Sequence, residues 1–259
     1  MPDQPVVKKP RSALRRWIRR AFILWATGST LWLANTMRTQ GVDPALLVSD
    51  QEVVVDDRKA TLEFSPVSSP KGGLVFVCGA GVAAEAYAPL LRPLAEAGYA
   101  VYVVRLPYRF APLPSHKDLT LERARRVVAD HPEIPRWVIA GHSLGGALAG
   151  RVAQTSPKAF SALVLIGTTH PKQDDLSNLP MAVTKVLGTQ DGVAPREKIE
   201  ANRRLLPAGT KWIEIEGGNH SQFGHYGHQL FDGQPTITRD AQQALTRSAL
   251  LAALNSDHR

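Results

Sequence analysis

Val138-Ile139-Ala140-Gly141-His142-Ser143-Leu144-Gly145-Gly146-Ala147-Leu148-Ala149 is the stretch whose reading decides the fold. Apolar, β-prone residues run into Gly141, and small helix-forming residues follow Gly145 at once, so the segment reads as strand, sharp turn, helix. A serine at the tip of such a turn takes a strained backbone. The residues two before and two after it must be glycine, because a Cβ there would strike the turn or the packed strand. Gly141 and Gly145 meet that demand. The strain lifts Ser143 Oγ clear of the sheet, and the helix beginning at Leu144 points N–H groups and a positive dipole end at whatever the serine meets. The competing reading is an ordinary glycine-rich turn, which would need no partners elsewhere in the chain.

Working outward, strand and helix alternate from residue 73 onward. Gly73 to Cys78, Tyr99 to Arg105, Ser161 to Gly167, Met181 to Gly188 and Lys211 to Ile215 read as strands. Helices are expected over about 83–97, 119–130, 144–154, 196–206 and 240–254, the last with Ala241, Ala244, Leu245 and Ala249 facing inward. Before them, Glu52 to Val55 and Ala60 to Phe64 form an antiparallel hairpin at a sheet edge. The expected architecture is α/β: a mostly parallel twisted sheet of about eight strands covered on both faces by helices. In such sheets the reactive loops lie beyond the carboxyl ends of the strands. Leu106 to Pro114 is too proline-rich to be regular, and Thr168 to Pro180 leaves room only for a loop or a turn of helix, so any lid is minimal.

Two further residues sit at strand ends. Asp191 leaves the strand ending at Gly188, and His220 follows the strand ending at Ile215 within Gly217-Gly218-Asn219-His220. A serine hydroxyl is a poor nucleophile at neutral pH and needs a base to take its proton; His220 can do so, with Asp191 fixing its tautomer. Alternatives for the base are His142, His170, His225 and His228; for the acid they are Asp174, Asp175, Glu197 and Asp232. The lone cysteine, Cys78, ends a buried strand and reads as packing rather than as a nucleophile. Backbone N–H groups of Leu144 and of Ala80 or Gly81, in the loop after the first buried strand, are the candidate donors to a developing oxyanion.

With these motifs in place, residues 50 to 255 resemble the α/β-hydrolase superfamily, and the order Ser143, Asp191, His220 is the order that fold imposes. The run Gly218 to Gly227 is similar to that of small bacterial hydrolases that often carry an amino-terminal membrane segment. The resemblance implies a serine hydrolase of the carboxylesterase kind. It would cleave an ester or related acyl bond of a small-molecule substrate through an acyl-serine intermediate, with no metal or cofactor. The alternatives are an acyltransferase using the same three residues and a non-catalytic membrane-tethered module that kept the fold.

The net charge of +8 and pI near 9.8 raise the question of nucleic acid. The excess is local: the first twenty residues hold seven lysines and arginines against Asp3 alone. The remaining chain is close to neutral, which excludes a nucleic-acid surface. Seventeen uncharged residues, Ala21 to Met37, follow the basic cluster. A basic flank before an apolar run predicts a signal anchor in residues 1–40, a linker over 41–50 and a hydrolase domain over 51–259 on the extracytoplasmic side. The alternative is a cleaved signal peptide with a secreted or periplasmic product.

Overall fold

A computed structural model describes residues 13–256; Lys8, Lys9 and Arg11 of the basic cluster lie outside the described residues. The chain divides into two units, residues 1–36 and 37–259. In the first, α1 (Ala13–Thr36) is a helix of 24 residues with no buried side chain. The spanning-helix expectation is corrected here. No helix among the described residues is long and apolar enough to cross a membrane. The reason is composition: Arg15, Arg16, Arg19 and Arg20 lie inside α1, and the uncharged run left to it falls short of the ~20 apolar residues a span needs.

The second unit is built on one eight-stranded sheet in the order β1-β2-β4-β3-β5-β6-β7-β8. The hairpin of β1 (Val53–Asp57) and β2 (Thr61–Pro66) is antiparallel, and β2 meets β4 (Ala100–Val104) antiparallel. All other neighbours are parallel: β3 (Gly73–Val77), β5 (Trp137–His142), β6 (Ala162–Ile166), β7 (Ala182–Gly188) and β8 (Lys211–Ile215). Every residue of β3, β4, β5 and β6 is buried, as expected of strands covered on both faces. Helix α2 (Ala88–Glu96) packs with α6 (Arg239–Asn255), and α3 (Pro114–Asp130) packs with α4 (Leu144–Thr155). A short α5 (Arg196–Glu200) completes the set.

Several boundaries differ from expectation for identifiable reasons. Helix α3 starts five residues early because Pro114 occupies its first position, where a missing N–H is harmless. The helix expected over 83–97 is a 3₁₀ turn, Ala84–Tyr87, followed by α2, and that over 196–206 is α5 plus a 3₁₀ turn, Arg203–Leu205. Residues 41–50 are not a free linker. Val42, Leu46 and Leu47 pack on the core, and the buried Arg92 side chain donates to the Leu46 and Val48 carbonyls at 3.1 and 2.8 Å and pairs with Asp50. The inward face of α6 is rotated: Gln242, Gln243, Thr246, Ala249 and Leu250 are buried, while Leu245 is 50% exposed and Ala241 and Ala244 lie outside. The buried amides answer backbone groups of the loop after β8. Gln242 Oε1 accepts the Asn219 N–H at 3.0 Å, and its Nε2 donates to the Asn219 carbonyl at 2.7 Å.

Lys185 is an unannounced cost within β7. It is 1% exposed, its ammonium donates to the His170 carbonyl, and burial pulls its pKa down to about 7. The unfolded side chain titrates near 10.5. Between about pH 7 and 10.5 the unfolded chain therefore binds more protons, so this residue makes stability rise with pH in that window, and below it the full burial cost is felt. Lys185→Met is expected to stabilise the fold by about 1 kcal/mol or more at pH 7, and by less at pH 10. Urea melts at the two pH values check this; a variant destabilised at pH 7 would contradict it.

Candidate functional site

The sheet order explains why distant residues meet. Strands β3 and β5 are parallel neighbours with Val77 opposite Gly141, so the loop after β3 and the turn after β5 leave the sheet side by side. Strands β7 and β8 are likewise neighbours, with Gly188 opposite Ile215, and Gln190 N–H donates to the Gly218 carbonyl at 2.8 Å. Asp191 and His220 are thus delivered by adjacent strand ends.

At the turn, Ser143 has φ 56° and ψ −121°, a conformation that a side chain rarely tolerates. It is half-buried. A Cβ on Gly141 would lie 2.3 Å from the Gly145 carbonyl, so the glycines permit the bend. Beside it, His220 is 1% and Asp191 4% exposed. Asp191 Oδ2 lies 2.9 Å from His220 Nδ1, while Oδ1 accepts the Val193 and Ala194 N–H groups at 3.0 and 2.6 Å. A carboxylate so used is an acceptor, so Nδ1 carries the ring proton and the lone pair lies on Nε2. That Nε2 is buried and has no hydrogen-bond partner among the described residues.

Of the other acids, Asp232 has a distinct task. Its Oδ1 accepts the His220 N–H at 3.1 Å, and its Oδ2 accepts the Ser221 N–H and hydroxyl at 2.8 and 2.7 Å. It holds the backbone of the histidine while Asp191 holds the ring. Asp174 pairs with Arg151 at 3.0 Å, and Asp175 accepts the Ser177 N–H at 2.9 Å. Of the other histidines, His228 faces the Asp232 carbonyl at 3.1 Å, and His170 lies 3.4 Å from the Thr168 hydroxyl. Cys78 is buried and its thiol is pushed up to about 12 by desolvation, which leaves it a packing residue at neutral pH.

The candidate oxyanion donors are sorted by the structure. The Gly81 N–H is given to the Arg109 carbonyl at 2.8 Å. The Gly79 N–H is given to Tyr87 Oη at 3.0 Å. Ala80 N–H has no acceptor among the described residues, and Leu144, the first residue of α4, has no turn before it to accept its own.

His142 and Tyr87 link these parts, a role the sequence did not reveal. Tyr87 Oη lies 2.9 Å from His142 Nδ1, and the His142 ring packs against that of His220 with centroids 4.6 Å apart. Tyr87 Oη thus accepts the Gly79 N–H and shares a second hydrogen bond with His142 Nδ1. Burial, reinforced by the His220 ring, holds His142 well below the ordinary histidine range, and burial holds the Tyr87 hydroxyl well above its own, so both stay neutral. One hydroxyl therefore ties the loop after β3 to the turn after β5. Tyr87→Phe leaves Gly79 N–H and His142 Nδ1 without this partner and, if the site hydrolyses esters, is expected to lower kcat on a p-nitrophenyl ester about tenfold with KM little changed. A variant that melts earlier but keeps kcat would show a merely structural role.

The chain is similar to known proteins in both sequence and fold. A model of the alpha/beta hydrolase family matches residues 73–244. A monoacylglycerol lipase of Mycolicibacterium smegmatis is 31% identical over 148 residues, 54% of this chain and 52% of the lipase, so the match spans about half the length of that relative. Among solved structures, a CIB-like hydrolase of Thermoplasma acidophilum matches with TM-score 0.60 and 14% identity over 76% of this chain and 98% of that one. A ferulic acid esterase of Streptomyces cinnamoneus matches with TM-score 0.60 and 20% identity over 73% and 68%. At these identities the two structures speak for the fold alone.

Proposed function

The chain belongs to the alpha/beta hydrolase family, and from that premise we propose that it is a serine hydrolase cleaving an ester or related acyl bond of a small molecule. The observation that carries the reading is the buried His220. Its Nδ1 is held by Asp191 and its Nε2 is without a partner among the described residues, while its ring packs on His142, the neighbour of the strained Ser143. The lipase name of the relative that matches in sequence points the same way.

In this mechanism Ser143 Oγ attacks the acyl carbon as its proton passes to His220 Nε2. The imidazolium so formed faces the Asp191 carboxylate, which stabilises it without taking the proton. The acyl oxygen becomes an oxyanion and accepts the N–H groups of Leu144 and Ala80; one such donor contributes about 10²–10³ in rate. Collapse of the tetrahedral species expels the alcohol, which takes the proton from Nε2 and leaves an acyl-serine. Water then repeats the sequence, giving its proton to Nε2 and releasing the acid.

Burst kinetics on p-nitrophenyl butyrate, with mass spectrometry of the protein treated with a fluorophosphonate, test the reading. The expected result is a stoichiometric burst and an adduct on the peptide holding Ser143. No adduct and no hydrolysis of any ester would leave a non-catalytic module. An adduct with turnover only when a second alcohol is supplied would make the protein an acyltransferase.

A further inference from the structure

Beside the loop after β3 the structure opens a cavity of about 690 Å³, bounded by residues 82–85, the exit of β4 and the first half of α3. Part of its wall is apolar, including Val82, Leu106 and Leu119. Its charged lining is unbalanced. Lys59, Arg105, Arg109 and Arg123 face a single carboxylate, Glu85. Arg105 is already satisfied, by Glu85 at 2.5 Å and by Asp57 at 2.7 Å. Arg123 spends one N–H on the Arg105 carbonyl at 2.7 Å. Neither Arg123 nor Arg109 has a carboxylate partner among the described residues. Burial lowers Arg123 from its ordinary pKa, yet a guanidinium remains charged at any physiological pH.

The backbone at the cavity rim is strained. Tyr108, Arg109 and Ala111 have φ of 53°, 63° and 46°, three non-glycine residues in the left-handed region within four positions. Such strain persists only where the surroundings over-determine it, and it gathers at ligand sites. Here the conformation brings Arg109 to the cavity while its carbonyl accepts the Gly81 N–H at 2.8 Å. The cationic rim is thereby fastened to the loop that carries Ala80. Guanidinium forks without counter-charge, at the edge of a partly apolar hollow, match the paired oxygens of a carboxylate or phosphate.

We propose that this cavity receives an anionic oxygen group, carboxylate or phosphate, carried by the substrate of the Ser143 site, with Arg109 and Arg123 as its partners. The link to catalysis rests on the serine hydrolase reading; the anion site itself does not.

The test pairs kinetics with a titration that needs no turnover. Three chromogenic esters are compared: p-nitrophenyl butyrate, p-nitrophenyl hemisuccinate with its charge on the acyl side, and 3-carboxy-4-nitrophenyl butyrate with its charge on the leaving group. One of the charged esters is expected to exceed the neutral one about tenfold or more in kcat/KM. That ratio should fall toward one in Arg109→Gln and Arg123→Gln, and should survive in Lys211→Gln, a cation removed from the start of β8. Calorimetry with inorganic phosphate and with succinate is expected to give binding that those two arginine variants lose, and the better ligand names the anion. A neutral preference, or a charged preference that both arginine variants keep, overturns the proposal. Binding without kinetic preference overturns the substrate assignment. If no ester is turned over at all, the hydrolase reading fails separately. The titration then decides the anion site: no arginine-dependent binding of either ion overturns it.

Discussion

Ser143→Ala is expected to lower ester turnover by about 10⁵-fold or more and to abolish the fluorophosphonate adduct, while melting within a few degrees of the wild type. The size follows from what the hydroxyl does. In the proposed mechanism His220, Asp191 and the two N–H donors assist a covalent step that begins at Ser143 Oγ, and without that atom they would have no bond to assist. What survives is binding and oxyanion stabilisation of a direct attack by water, which accounts for the small remainder. The fold should tolerate the change, because alanine at φ 56° is strained much as serine is and Ser143 is only half-buried. An alanine variant that keeps the adduct, or keeps a tenth of the turnover, would move the nucleophile elsewhere.

The parts of this site that are set by local chemistry were legible in the chain. Gly141 and Gly145 announce the bend, and Asp191 and His220 each follow a strand with β-prone, apolar residues. Their order in the sequence carries the long-range information, since adjacent parallel strands bring adjacent loops together. What stayed hidden depends on contacts between segments whose relative placement no periodicity encodes. Asp232 holds the His220 backbone from twelve residues away, and Tyr87 reaches His142 across 55. Neither residue type is unusual in its own stretch. The fate of the Gly81 N–H was settled by the Arg109 carbonyl, which needs three left-handed residues that composition does not favour. Helix α6 shows a further limit: hydrophobic periodicity pointed Ala241, Ala244 and Leu245 inward, whereas the helix turns Gln242 inward to grip Asn219, the residue before His220. Amide pairing at the site outweighed burial of a leucine.

Gly145→Ala is expected to be strongly destabilising. In an ordinary helix, glycine to alanine gains up to about 1 kcal/mol. Here the added Cβ would sit 2.1 Å from the Val77 carbonyl oxygen and 2.4 Å from that of Cys78. Both obstacles are backbone, and Val77 ends β3, which is hydrogen-bonded on both sides to β4 and β5. The strand cannot retreat without breaking its pairing. The first turn of α4 would have to lift away from the sheet instead, carrying Leu144 N–H away from Ala80. A displacement of that kind is expected to cost about 3–5 kcal/mol, a large part of the 5–15 kcal/mol that holds a domain together. It should lower Tm by roughly 10 °C or leave the protein insoluble. Gly209, where an added Cβ meets nothing within 4 Å, supplies the contrast: Gly209→Ala should stay within about 0.5 kcal/mol of the wild type. Calorimetric melts of the two variants read the difference. If Gly145→Ala melts beside Gly209→Ala with its turnover intact, the close approach of α4 to β3 is not what fixes Ser143 in place.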